Sequence, residues 1–226
     1  MKNYFEVLWA IINKDLISEL RTKETISSII IFTVLVFVIF NFTFEPGASY
    51  INEIAPGILW VAYIFASVLG LNRTFLPERE NNCISGLMLT PIDRGAIYLA
   101  KMLGNIIFIF IVVLLSLPIF TIFYNINIFP YLPKLLLVLF LSIAGIAGLG
   151  TALSAMAVNT KTREIMLPIL LFPLMVPLIL AAVKTTGSIL QGKTLLEISG
   201  WLKMLTAFDI VFITVPYLTF EYLIEE

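Results

Sequence analysis

Long apolar runs alternate with short loops along the whole chain, and the basic residues crowd into every other loop. A helix needs about 20 consecutive apolar residues to cross the hydrocarbon core of a bilayer, and these runs reach that length. Composition points the same way. The 226 residues are 60% hydrophobic and 13% charged, whereas a soluble domain carries roughly 25% charged residues. There is too little polar surface to coat a globule in water. The expectation is an all-α fold: a polytopic membrane helical bundle in which residues 1–226 form one domain.

Six spans are predicted, at about 26–44, 54–71, 96–123, 132–158, 165–183 and 202–223. Residues 2–23 read differently. Phe5, Leu8, Trp9, Ile12, Leu16 and Leu20 recur at helical spacing, while Lys2, Glu6, Asn13, Lys14 and Glu19 lie mostly off that stripe. This pattern predicts an amphipathic helix lying in the membrane interface. The charge rule orients the bundle. Lys2, Lys14, Arg21, Lys23, Arg73, Arg79, Arg94, Lys101, Lys161 and Arg163 fall on the N-terminal side, and only Lys134, Lys184, Lys193 and Lys203 fall opposite. Ten of the 14 basic residues on one side place that side, with both termini, in the cytoplasm; the resemblance named below implies that the membrane is a bacterial inner membrane.

Several function classes are excluded. A net charge of -1 gives no reason to expect nucleic acid. The single cysteine, Cys83, cannot form an intrachain disulfide. The absence of histidine removes the usual haem and zinc ligand and the usual general base. No catalytic residue and no metal site is expected, and no cofactor. Met88, Met102, Met166 and Met175 are chemically able to ligate iron, but methionine in such runs is far more often a packing residue. No phosphate-binding Gly-rich loop ending in Lys-Ser/Thr is present, so the chain is not an ATPase.

Within the spans, Ala144, Gly148 and Ala152 share one face, which allows close helix approach. Pro168, Pro173 and Pro177 crowd the fifth span. Each interior proline removes a backbone hydrogen bond, so the expectation is a bent or broken helix, either a fixed kink or a hinge. Residues 185–201 are expected to form a short element on the outer interface, or a plain loop, with Trp201 as an anchor. Asp209 is an acidic group inside the sixth span, expected about two turns from the outer end and facing protein or water.

The loop at 74–94 carries the most information. Glu78, Arg79 and Glu80 precede an apolar patch, Leu87-Met88-Leu89, and Pro91 stops the element before Arg94. A short helix from about Glu78 to Leu89 would expose acidic and apolar groups together, a surface suited to docking on another protein. Reversing the charge of Glu78 and Glu80 together is expected to uncouple that partner without blocking insertion.

This loop, with its acidic stretch followed by Gly86-Leu87-Met88-Leu89-Thr90-Pro91, resembles the coupling element of ABC-2-type permeases. With Arg73, Phe75, Lys101, Gly148-Leu149-Gly150 and the proline run of the fifth span, nearly the whole chain resembles the CcmB family, the permease subunit of the cytochrome c maturation ABC system. The resemblance implies a non-catalytic subunit whose partners are a cytoplasmic CcmA-like ABC ATPase, a haem-handling CcmC-like membrane subunit and a CcmE-like haem chaperone, with a second permease copy as a further possible partner. It also implies that ATP hydrolysis is linked to release of haem-loaded chaperone on the outer side. Two other readings remain at this point: an ABC-2 exporter of lipid, glycan or drug, and an ion-coupled secondary transporter, for which Asp209 alone is thin support.

Overall fold

The computed structural model describes residues 2–22, 24–44, 51–81, 83, 93–158, 160 and 162–225; for residues 2, 3, 20–22, 24, 163, 164, 224 and 225 it describes the backbone only. The chain is all-α. The helices are α1 (Lys2–Thr22), α2 (Glu24–Thr43), α3 (Ile51–Leu71), the short α4 (Leu76–Glu80), α5 (Arg94–Tyr124), α6 (Leu132–Ala157), α7 (Arg163–Leu190) and α8 (Ser199–Glu225), with a 3-10 turn at Phe129–Tyr131 before α6. Six of them are long and apolar enough to cross a membrane, as the run lengths predict. The chain is a multi-pass membrane protein. Below, the end carrying α1, α4 and the start of α5 is called the basic end.

The small-residue run explains the architecture. Every residue from Ser142 to Ala155 in α6 is buried, and α6 contacts α3, α5, α7 and α8. Its glycines set how close these neighbours come. A methyl group at Gly145 would meet Asp209 Oδ1 at 2.5 Å and the Leu178 side chain; one at Gly148 would meet Ile213 Cγ1 at 2.9 Å and the Phe212 carbonyl oxygen at 3.0 Å. The Tyr98 hydroxyl sits in the same crevice, within 3.0 Å of the Gly148 carbonyl and 3.2 Å of that of Phe212. Van der Waals contact at this spacing is what holds helices together in lipid, where no hydrophobic force acts between them.

Helix α1 packs Leu8 and Ile12 against Ala100 and Leu99 of α5. Phe5 and Trp9, although on the predicted stripe, stay 74% and 66% exposed. The stripe is therefore divided between the bundle and the interface, which suits a helix lying flat against lipid headgroups. Helix α5 spans 31 residues, about 46 Å at 1.5 Å per residue, and so overshoots a hydrocarbon core of about 30 Å. Its first turns receive α1, through Leu99 and Ala100.

Two expectations change. The fifth span is not broken: α7 runs as one helix through Pro168, Pro173 and Pro177. Leu167, Leu171, Met175 and Leu178 face the core, while Pro173 and Pro177 lie exposed on the opposite face. There the rings displace carbonyls toward open space rather than into a packed neighbour, so the helix continues. Of the two readings of residues 185–201, the connecting loop is the one seen, and it is shorter than expected. Ile189 and Leu190 belong to the last turn of α7, Trp201 to the first turn of α8, and only 191–198 form turns between them.

The close α6 packing is testable. Gly145→Ala is expected to destabilise the folded protein by about 1–3 kcal/mol through overpacking. Gly57→Ala, where nothing lies within 4 Å of the added methyl, is expected to leave thermal unfolding in detergent unchanged or slightly raised.

Candidate functional site

At the basic end the last residue of α3 and the turn that follows it (residues 71–75) are tied to α2, α5, α6 and α8. Arg73 donates to Thr25 Oγ1 of α2 at 2.8 Å. Ser154 Oγ of α6 donates to the Leu71 carbonyl at 2.9 Å. Asn105 Nδ2 of α5 reaches Thr74 Oγ1 at 3.1 Å and Thr151 Oγ1 at 2.8 Å. The Phe75 ring stacks on Phe220 of α8, with centroids 6.4 Å apart.

Behind this turn lies an ion cluster. Lys101, 2% exposed within α5, donates hydrogen bonds to Glu78 Oε1 at 2.8 Å and to the Thr74 carbonyl at 2.9 Å, and forms an ion pair with Asp15 Oδ2 at 2.9 Å. It also lies 5.3 Å from the Phe75 ring centroid. Lys14 of α1 reaches the same Glu78 oxygen and pairs with Asp15 at 3.2 Å. Burial works against the Lys14 charge, but its bonds to Glu78 and Asp15 outweigh that, and its pKa is raised. It is charged throughout the physiological range. Two cations and two anions thus alternate across α1, α4 and α5 with no net charge. They line a pocket of about 350 Å³ together with Arg73, Asn81 and Asn105.

This arrangement corrects the reading of the acidic loop. The helix described there is Leu76–Glu80, and the rest of the predicted helix, residues 84–89, lies outside the described residues. Glu78 is only 4% exposed and faces inward. A carboxylate beside two ammonium groups is held by them, so it offers no surface for docking. Glu80, in contrast, is exposed, and Arg79 bonds the Thr160 carbonyl of the α6–α7 connection at 3.4 Å. Gly86, Leu87, Met88, Leu89 and Pro91 lie outside the described residues. Arg94 pairs with Glu221 at 3.4 Å, joining the start of α5 to the end of α8. Ala144, Gly148 and Ala152 are in the α6 contact region, and the three prolines are on α7. The missed participants are Lys14, Asp15 and Lys101. Lys101 did carry a signal: a lysine flanked by Ala100 and Met102 in an apolar run requires a counter-charge.

Asp209 is also placed differently. Helix α8 begins at Ser199, so Asp209 lies ten residues in, about 15 Å from the end and near mid-depth. It is 8% exposed and packs at Gly145 of α6, and Oδ1 has no hydrogen-bond partner.

The fold and this site define a polytopic helical membrane protein with a basic-end segment fastened to the bundle. A sequence profile described as CcmB protein matches residues 6–223, and the chain belongs to the CcmB family. It is similar to Heme exporter protein B of Pseudomonas aeruginosa, 27% identical over 210 residues, covering 92% of this chain and 91% of that one. The protein of the same name from Rhodobacter capsulatus is 29% identical over 168 residues, 74% of this chain and 77% of its own. That from Escherichia coli K12 is 30% identical over 99 residues, 44% and 45%.

Removing one partner of a buried ion cluster leaves an uncompensated charge, a loss of about 3–5 kcal/mol. Lys101→Met is expected to destabilise the protein on that scale, and Lys101→Met with Glu78→Gln to recover part of the loss, as read from thermal unfolding in detergent. Asp209→Asn is expected to keep stability within about 0.5 kcal/mol of the parent or to raise it, because it removes a buried charge that makes no ion pair among the described residues.

Proposed function

We propose that the chain is the non-catalytic membrane subunit of a haem-export ABC system for cytochrome c maturation, and that it transmits the motion of a CcmA-like ATPase to the outer side. The observation that carries this reading is the way α4 is fastened. A segment docked on a moving ATPase performs work only if it cannot slip against the bundle. Here Glu78 is fixed to Lys101 of α5 and Lys14 of α1, and the turn before it is bonded to α2, α5 and α6. A displacement of α4 therefore moves several helices together.

The ATPase-facing residues begin where burial ends, at Glu80 and Asn81, and the sequence pattern adds Gly86, Leu87, Met88, Leu89 and Pro91 to them. The basic end lies in the cytoplasm and the opposite end faces the outer side of a bacterial inner membrane, on the strength of the lysine and arginine bias. The work of the motion is release of a haem-loaded CcmE-like chaperone beside a CcmC-like subunit. Membership of the CcmB family and the printed name of the relatives, Heme exporter protein B, support the cargo class.

The test is co-purification from mild detergent. The parent chain is expected to bring down an ABC ATPase and a haem-handling membrane protein. Glu80→Lys is expected to lose the ATPase by tenfold or more while keeping the parent's yield and melting temperature; Glu78→Lys is expected to lose folded protein instead. Retention of the ATPase by Glu80→Lys, at parental levels and with cytochrome c assembly intact, would remove this surface from the mechanism.

A further inference from the structure

We propose that the groove between α3 and α7 at the basic end is a binding site for one anionic glycerophospholipid of the phosphatidylglycerol type. Its phosphate would rest on Arg73 and one acyl chain would lie along Phe65, Leu69 and Phe172. This reading is independent of the haem assignment.

The groove holds about 460 Å³ and is amphipathic along its length. Pro168 and Phe172 of α7 and Phe65 and Leu69 of α3 form its walls, and Asn72 and Arg73 form its end. Phe65 and Phe172 meet edge-on, with centroids 5.5 Å apart, and close the deep end. From Phe65 to Arg73 is eight residues, a rise of about 12 Å, against about 15 Å for the acyl region of one leaflet. The polar end thus falls at headgroup depth while the apolar walls follow the chain.

Two observations at that end specify the headgroup. Lys14 and Lys101 are neutralised by Asp15 and Glu78, and Arg94 by Glu221. Arg73 is exposed and has no acidic partner among the described residues. Its one hydrogen bond goes to the neutral hydroxyl of Thr25. That bond fixes the guanidinium, which has five N–H donors, and leaves the others for an anion. Beside it, Asn72 completes the polar end of the groove. Phosphatidylcholine carries no net charge and gains nothing from the remaining guanidinium donors. The exposed faces of Leu69 and Phe65, 41% and 43%, leave the groove open to the side from which lipid enters.

The experiment is native mass spectrometry of the full-length chain, with whatever subunits accompany it, titrated with phosphatidylglycerol or phosphatidylcholine. The parent is expected to retain one phosphatidylglycerol in preference to phosphatidylcholine. Arg73→Gln is expected to weaken the first lipid about fivefold, the effect of one basic residue at a membrane surface. Arg73→Lys is expected to restore the preference. Leu69→Trp, which fills the groove without touching the ion cluster, is expected to abolish the first binding event at an unchanged melting temperature. Equal binding by the parent and Arg73→Gln, or no preference between the two lipids, would overturn the proposal. Displacement of the lipid by millimolar inorganic phosphate would overturn it in favour of a small-anion site. A second copy occupying the groove would show as cross-linking between two Leu69→Cys chains in a Cys83→Ser background, and would overturn it too.

Discussion

A lysine ammonium placed among apolar residues is stable only if its hydrogen-bonding and charge demands are met in place, and Lys101 meets them from three directions. An ion pair reaches α1 through Asp15, and hydrogen bonds reach α4 through Glu78 and the carbonyl of Thr74 in the turn between α3 and α4. Much of the basic end is organised by that requirement. The amphipathic helix cannot lift off without stranding Lys101, and α4 cannot unwind without stranding Glu78. Desolvation makes such a cluster a weak source of net stability, but it makes every partial rearrangement costly. The geometry is therefore defined sharply, even though an apolar replacement of similar volume need not be less stable.

The rest of the bundle supplies a body for this joint to act on. Small residues along α6 let α8, α7 and α5 approach closely, and backbone carbonyls take part in the contact, as at Tyr98 with Gly148 and Phe212. Packing at this density transmits displacement rather than absorbing it. The α3–α4 turn joins the same body through Ser154 and Thr151 of α6. Joint and body are continuous, and α4 presents Glu80 at the surface two residues beyond its buried anchor.

The sequence made the spans legible because bilayer thickness sets their length, and the small-residue face of α6 because close approach needs glycine and alanine at fixed spacing. The polar joint was not legible. Glu78 stands in an acidic, apparently solvated stretch, and its partners are 23 and 64 residues away; nothing local distinguishes it from Glu80, which is exposed. The depth of Asp209 was misjudged because α8 starts before the apolar run does, at Ser199, so a boundary drawn on hydropathy moved the carboxylate toward the surface. The prolines misled for a related reason. Their effect depends on which face of the helix they occupy, and the residues that decide this, Leu171, Met175 and Leu178, are informative only once the neighbouring helices are in place. Lys101 was readable in principle, since an interior lysine implies an acid, but the identity of that acid required the fold.

A joint made of ions has a property that an apolar contact lacks. Leucines packed on leucines can shift by a helical turn and repack with little loss, because dispersion and lipid exclusion are indifferent to register. Glu78 has no second lysine one turn along α5: the residues four before and four after Lys101 are Ile97 and Asn105. Sliding α4 by one turn along that axis would replace an ion pair with an isoleucine or an already committed amide. The position of α4 on the bundle is thus single-valued, and a load applied near Glu80 must either move the helices attached to Lys101 or break the cluster outright. That distinction, between a contact that slips and one that moves or fails, is the mechanical requirement for a segment that couples a partner's motion to a membrane domain.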